Sequence, residues 1–458
     1  MIDKQNLLTG SVSKKLIAFA LPLLLANLLQ SLYNVVDMLV MGRAVGEAGL
    51  AAISNASKLC YIINSICIGI TMGGAVLIAQ YKGANDENGQ AQTFQALAWL
   101  SLAASVLITV VSLAGYQPLF RGLGVPADAY QDACDYMRII CWGTVFVFGY
   151  NAVCSVLKGL GDSKSPLCFV GIATVINIIL DVLFVVTLKI GVAGAAYATV
   201  IAQGTSFVIS ILYLRKRKVF FPPASQKKLS LQTDKLAAIL KIGLPTAIQM
   251  VVVNTAYLLV AGMLNQFGTS VSAASGIGLQ INTFAGMPCW AIGQAVTAMV
   301  GQCIGAENPQ RARKVVKTGL LLNIFVTLIV VVCVQIFAKQ LILLFSNTGS
   351  EAVRIGVCYL RICCCINSFV YAVMYTLDSF AIGVGAANIA MLNALLDAVV
   401  VRLPVSWLFA FTLGMGFSGV YLGQALSPIL PALVGLLYFR GKGWERKSLV
   451  QKEAQGAS

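Results

Sequence analysis

The sequence predicts an all-α, polytopic membrane protein with twelve transmembrane helices in two six-helix lobes, the lobes forming a parallel internal repeat. Three observations carry this expectation. Hydrophobic residues make up 58% of the 458-residue chain and charged residues 11%, whereas a soluble domain carries about 25% charged residues. Apolar stretches recur along the whole chain, each long enough to cross ~30 Å of hydrocarbon as a helix of about 20 residues. A β-barrel would show alternating segments of ~10 residues instead. Lastly, the chain repeats itself: shifted by 222 residues, Gly46, Ala51, Ala52, Gln80, Gly83, Ala84 and Gly161 meet Gly268, Ala273, Ala274, Gln302, Gly305, Ala306 and Gly383.

The first span, near 16–41, follows Lys14 and Lys15 as a signal peptide would, but it is too long and eleven spans follow, so it reads as an uncleaved helix. Spans two to six lie near 50–78, 93–115, 134–157, 167–188 and 192–213. The basic segment "LRKRKVFFPPASQKKLSLQTDK" marks a linker at about 214–237, dividing an N-lobe, 1–222, from a C-lobe, 223–458. Spans seven to twelve lie near 238–263, 271–300, 316–338, 353–377, 388–413 and 416–438. "AQYKGAND" and "GQCIGAEN" are one loop seen twice. Six spans per half is an even number, so both halves share one orientation, the logic of transporters that work around a midplane site. Pro22 and Pro245 stand early in the first span of each half and are candidate hinges. Gly83, Gly161, Gly305 and Gly383 are expected to permit tight turns.

Most of the 32 Lys and Arg fall on the side of the N-terminus, so both termini are expected in the cytoplasm and the protein in the cell membrane. The net charge of +15 then reflects topology and contact with anionic lipid, not nucleic acid. Nearly all of the 13 cysteines fall inside spans, and Cys363–Cys365 lack ligand spacing, so they read as small buried hydrophobes. With no histidine there is no imidazole relay, and with no phosphate-binding loop there is no sign of an ATP-driven pump. No nucleophile–base pair points to an enzyme, and no cofactor is required. Membrane lipids are expected partners, and the chain is expected to act as a monomer.

"INIILDVLFV" places Asn177 and Asp181 inside an apolar span. A carboxylate there costs roughly 2.5–3.5 kcal/mol on insertion scales, and the span offers no basic partner before Lys189. Asp37, Asp181 and Thr199 sit on spans one, five and six at depths that agree within about 6 Å at ~1.5 Å per residue. Tyr33 and Asn177 lie one turn from Asp37 and Asp181 on the same helix faces. Hard oxygen ligands of this kind suit a small cation or a proton. Asp397 lies mid-span in the eleventh helix as a candidate cavity charge. Arg402, five residues on, is expected on a different face, which would give Asp397 a partner from another helix. Asp378 is expected to be solvated. Met250, Tyr257, Met263, Phe284, Met287 and Trp290 could line a cavity, but none is assigned to a site.

"LYNVVDMLVMGRAVG", "LIAQYKGA", "KGLGDSKSP", "INIILDVLFV" and "GVAGAAYAT" together resemble the multidrug and toxic compound extrusion (MATE) family over essentially the whole chain. The resemblance implies export of bulky, mostly cationic organic compounds against inward H⁺ or Na⁺. For the branch with an N-lobe cation site it implies coupling through Tyr33, Asp37, Asn177, Asp181 and Thr199. Another branch carries a glutamate on the seventh span, and this chain has no acidic residue between Asp234 and Glu307. The alternative function is a flippase for lipid-linked saccharide or another amphipathic lipid. Clustered basic residues in the cavity would favour it, and the spans hold few.

Overall fold

The computed structural model describes residues 7–122, 124–217, 232–345, 351–446 and 448–450. Among them helices account for nearly everything and no strand occurs. The central stretch of the expected linker, 218–231, lies outside the described residues.

The first half of the chain forms α1 Val12–Ala44, α2 Glu47–Gly83, α3 Glu87–Gly122, α4 Ala127–Gly159, α5 Lys164–Asp181 and α6 Val192–Lys216. The second forms α7 Thr233–Asn265, α8 Thr269–Gly305, α9 Pro309–Ile336, the short α10 Ala338–Leu343, α11 Glu351–Ile362 and α12 Ser368–Val384. It continues with α13 Ala387–Leu395, α14 Leu403–Trp407, α15 Phe417–Leu426 and α16 Ile429–Arg440. Among the described residues, single π-helical turns interrupt the second half at Cys363–Asn367, Leu396–Arg402 and Leu408–Thr412, and the first half only after α5, at Val182–Thr187. Across those turns the pieces join into spans, and 11 helices among the described residues are long and apolar enough to cross a membrane. The remaining expected span is α8, a 37-residue helix whose Gly, Ser, Thr and Gln residues break up its apolar runs, so it is not among those eleven.

Contacts divide the chain into two compact units, Leu25–Ala247 and Met1–Leu24 together with Ile248–Ser458. The division falls within α1, two residues after Pro22, and within α7, two residues after Pro245. Each unit therefore contains a helix segment from the other half of the sequence. In the unit made mainly of the second half, Leu16, Phe19 and Leu23 of α1 are buried with Ala295, Met299, Val316 and Phe380. The Arg311 guanidinium donates to the carbonyls of Leu7, Thr9 and Gly10, which secures the segment leading into α1.

In the other unit α2 is the most buried span, and the first half of α7 packs on it. The crossing is backbone on backbone. A Cβ at Gly69 would stand 2.4 Å from the Ala247 backbone, and one at Gly73 would stand 2.3 Å from the Ile239 carbonyl oxygen. Two small residues four apart are the usual means of close helix approach in membranes.

The repeat is visible in the backbone as well as the sequence. Gly46 and Gly268 take φ of 85° and 101°, and Asn85 and Glu307 take 56° and 54°, both pairs 222 residues apart. The next matched turns, Gly161 and Gly385, with φ of 91° and 90°, are 224 apart. Gly191 and Gly416, with φ of 72° and 62°, are 225 apart. Two of the three added residues fall in the π turns Cys363–Asn367 and Leu396–Arg402, which have no counterpart in the first half. Of the glycines expected at turns, only Gly161 is left-handed. Gly83 and Gly305 end helices, with Asn85 and Glu307 making the turns. Gly383 lies inside α12, where a Cβ would meet the Thr297 carbonyl oxygen at 2.8 Å.

Candidate functional site

The five residues read from the sequence all lie in the unit Leu25–Ala247, and the structure brings four of them into one hydrogen-bonded chain. Tyr33 on α1 meets Thr199 on α6, hydroxyl to hydroxyl, at 3.0 Å. With its amide nitrogen turned to the carboxylate, Asn177 donates to Asp181 Oδ2 at 2.7 Å and accepts from the Thr199 backbone N–H at 3.3 Å. Asn177 and Asp181 are four residues apart on α5, so one helix face presents both. Asp181 is the last residue of that helix, and the backbone widens to a π turn directly after it.

Asp37 is the fifth member. It is 8% exposed, Asp181 is fully buried, and the two carboxylates are close enough for their charges to interact. One oxygen of each, Asp37 Oδ1 and Asp181 Oδ1, is buried without a hydrogen-bond partner. Among the described residues no Lys or Arg pairs with either. Two buried carboxylates, unpaired by any Lys or Arg among the described residues and flanked by a phenol, an amide and a hydroxyl, make a donor set that suits a proton or a small hard cation.

Tyr136 on α4 belongs with this group, and sequence reasoning does not find it. It is buried, and its hydroxyl lies within electrostatic reach of Tyr33, Asp37 and Asp181. Nothing in its local sequence, "CDYMRII", marks it out. Only the repeat does, since Tyr359 stands almost one repeat away on α11. At the loop before α5, Asp162 accepts from the backbone N–H groups of Lys164 and Ser165 at 3.1 and 3.0 Å and from the Tyr213 hydroxyl at 3.2 Å. That network ties α5 to α6 and so supports the site from one end.

In the other unit two expectations are corrected. Arg402 does not face away from Asp397: Nη2 donates to Asp397 Oδ2 at 2.6 Å, with both side chains at most 3% exposed. The reason is the π turn Leu396–Arg402, whose i→i+5 hydrogen bonding stacks residues five apart. Asp378 is not solvated either. It is 3% exposed and accepts from Asn393 at 2.6 Å and from Gln249 at 3.5 Å. Cys363 and Cys364 are buried and Cys365 is exposed. No group of three or more His, Cys, Asp or Glu able to hold a metal ion occurs among the described residues. Pro22 and Pro245 lie inside α1 and α7. Met287 is buried, and Trp290 donates to the Tyr371 hydroxyl at 3.1 Å.

The sequence profile of the MatE family matches residues 22–183 and 245–408, one match in each half. The chain is 30% identical over 440 residues to the probable multidrug resistance protein YpnP of Bacillus subtilis, covering 96% of this chain and 97% of that one. It is 26% identical over 460 residues to the probable multidrug resistance protein NorM of Thermotoga maritima, covering 96% and 95%. In structure it is similar to a multidrug resistance MATE family transporter of the MOP superfamily, with a TM-score of 0.89 and 24% identity over 95% of this chain and 96% of that one.

Proposed function

Because the chain belongs to the MatE family, we propose that it is a secondary active multidrug exporter, moving bulky lipophilic organic cations outward against inward H⁺ or Na⁺. The observation that carries the reading is the pair of buried carboxylates, Asp37 and Asp181, without a basic partner among the described residues. A structural carboxylate in a bilayer is neutralised by a fixed partner, because charge there is expensive. Here the neutralising cation is one that comes and goes.

Loaded with H⁺ or Na⁺, the cluster is close to neutral and its half of the lobe packs together. Emptied, it holds two repelling carboxylates and favours a hydrated, opened form. The ion shifts these forms only through its different affinity for each, and the organic cation is driven by the same linkage. Tyr33, Asn177 and Thr199 supply oxygen ligands for Na⁺ or hold the carboxylates in place for a proton. The protein sits in the cell membrane with both termini in the cytoplasm. Pro22 and Pro245 act as hinges, a role supported by the change of unit two residues after each.

The test is efflux of a fluorescent organic cation from proteoliposomes, with pH and Na⁺ gradients imposed separately. Efflux must follow at least one gradient and stop when it is collapsed. Transport indifferent to both gradients would overturn the proposal.

A further inference from the structure

The left-handed turns Gly191 and Gly416 set the register between the two lobes at the site. Counting back from each, Asn177 corresponds to Arg402 and Asp181 to Ser406; counting forward, Thr199 corresponds to Gln424. The second lobe thus carries a guanidinium where the first carries the amide beside its buried carboxylate. Arg402 is held on two sides. Asp397 lies at 2.6 Å, and the Tyr257 ring lies under the guanidinium with its centroid 4.4 Å away. Next to them is a cavity of about 180 Å³, lined by Tyr257, Asn265, Ser275, Tyr359 and Gln424 among others. Tyr359 is the counterpart of Tyr136 to within a residue, so two residues lining this cavity, Tyr359 and Gln424, are counterparts of Tyr136 and Thr199 in the first lobe. The Gln424 Nε2 group is buried there without a hydrogen bond.

We propose that Arg402 is a tethered cation: at Asp397 in the second lobe it permanently fills the role that an exchangeable H⁺ or Na⁺ plays in the first, so Asp397 exchanges no ion during the cycle. This rests on the cation reading of the first lobe. The geometry accounts for the extra residue in the π turn. Without it Arg402 would stand on a different face from Asp397, and the carboxylate would need a cation from outside. Whether Asp397 counts among the coupling sites is then set by one side chain. The other charged or titratable groups near the pair are Asp378 beside Asp397, and Tyr371 and Cys363 beside Arg402.

Removing the guanidinium while keeping Asp397 creates a second exchange site. The experiment uses the full-length protein in nanodiscs and counts cation equivalents per chain, as bound radioactive Na⁺ plus protonated carboxyl seen by its infrared stretch. Arg402→Gln must gain one equivalent over wild type, the double variant Arg402→Gln, Asp397→Asn must lose that gain, and Arg402→Lys must show none. A monodisperse Arg402→Gln protein with the wild-type count overturns the proposal. If that variant is not monodisperse, Arg402→Ala is prepared with ethylguanidinium, which refills the vacated space. Exchange of ethylguanidinium for Na⁺ must then show the same equivalent, and its absence overturns the proposal. Asp181→Asn in the same assay reads the first lobe separately. A wild-type protein whose count does not fall in Asp181→Asn refutes the first-lobe reading, while the gain in Arg402→Gln still decides the second.

Discussion

At the scale of single residues, the arrangement around Asp181 separates charge from shape. Asp181→Asn keeps the side-chain volume and can still hydrogen-bond to Asn177, but it can neither bind Na⁺ as a carboxylate nor release a proton. Gradient-driven efflux should fall to background with surface expression unchanged, and Asp37→Asn should do nearly the same. Coupled transport at wild-type rate by Asp181→Asn would show that the residue is only structural. The Tyr33–Thr199 contact is a lesser matter. A double-mutant cycle of Tyr33→Phe and Thr199→Val should return about 0.6 kcal/mol of coupling in unfolding free energy, the average for side-chain hydrogen bonds between membrane helices. Asp397→Asn behaves differently from Asp181→Asn, since it strands a buried guanidinium. It should cost about 3–5 kcal/mol of stability, read as a fall in melting temperature before any fall in intrinsic transport. The first-lobe cluster was legible because it needs only helical spacing and depth. Asp378 was not, because its burial depends on Asn393 and Gln249 arriving from α13 and α7, and a sequence shows no such tertiary partner.

At the scale of elements, the departures from regular helix carry the information that periodicity misses. Residue arithmetic at 3.6 per turn places Arg402 and Asp397 on different faces, and a single π turn reverses that. Such turns account for two of the three residues by which the later loops drift from a constant shift of 222. The α2–α7 crossing was equally hidden, because Gly69 and Gly73 look like any other glycines in an apolar helix until Ala247 and Ile239 are placed against them. Gly73→Ala should therefore push the α2 and α7 backbones apart and cost about 1–3 kcal/mol, as overpacking does. Gly262→Ala on α7 meets nothing within 4 Å and serves as the control, with a melting temperature unchanged or raised by the better helix propensity of Ala.

At the scale of the whole molecule, composition and repeat were enough to give the class, because a bilayer imposes span length and apolarity on any chain that crosses it. The proposed substrate sign rests on burial: among the described residues the buried charged side chains are five aspartates and one arginine, Arg402, which is already paired. Expression in a drug-sensitive host should raise tolerance to cationic dyes and quaternary ammonium biocides. Protection confined to anionic compounds, with intact protein at the surface, would reverse the sign of the proposed substrate.

The division of α1 and α7 between the two units has a consequence for how the protein is made. A ribosome that has delivered residues 1–222 has not yet delivered the Ile239–Ala247 stretch that packs on Gly69 and Gly73, so the first unit is still unfinished. Leu16, Phe19 and Leu23, translated first, must wait for α8, α9 and α12 before they are covered. Neither half of the gene therefore encodes a self-sufficient folding unit. Two fragments divided at residue 228 should each be degraded or protease-sensitive when made alone, and should restore drug tolerance when made together in one cell. Stable, protease-resistant accumulation of either fragment by itself would show that the exchanged segments are dispensable to folding.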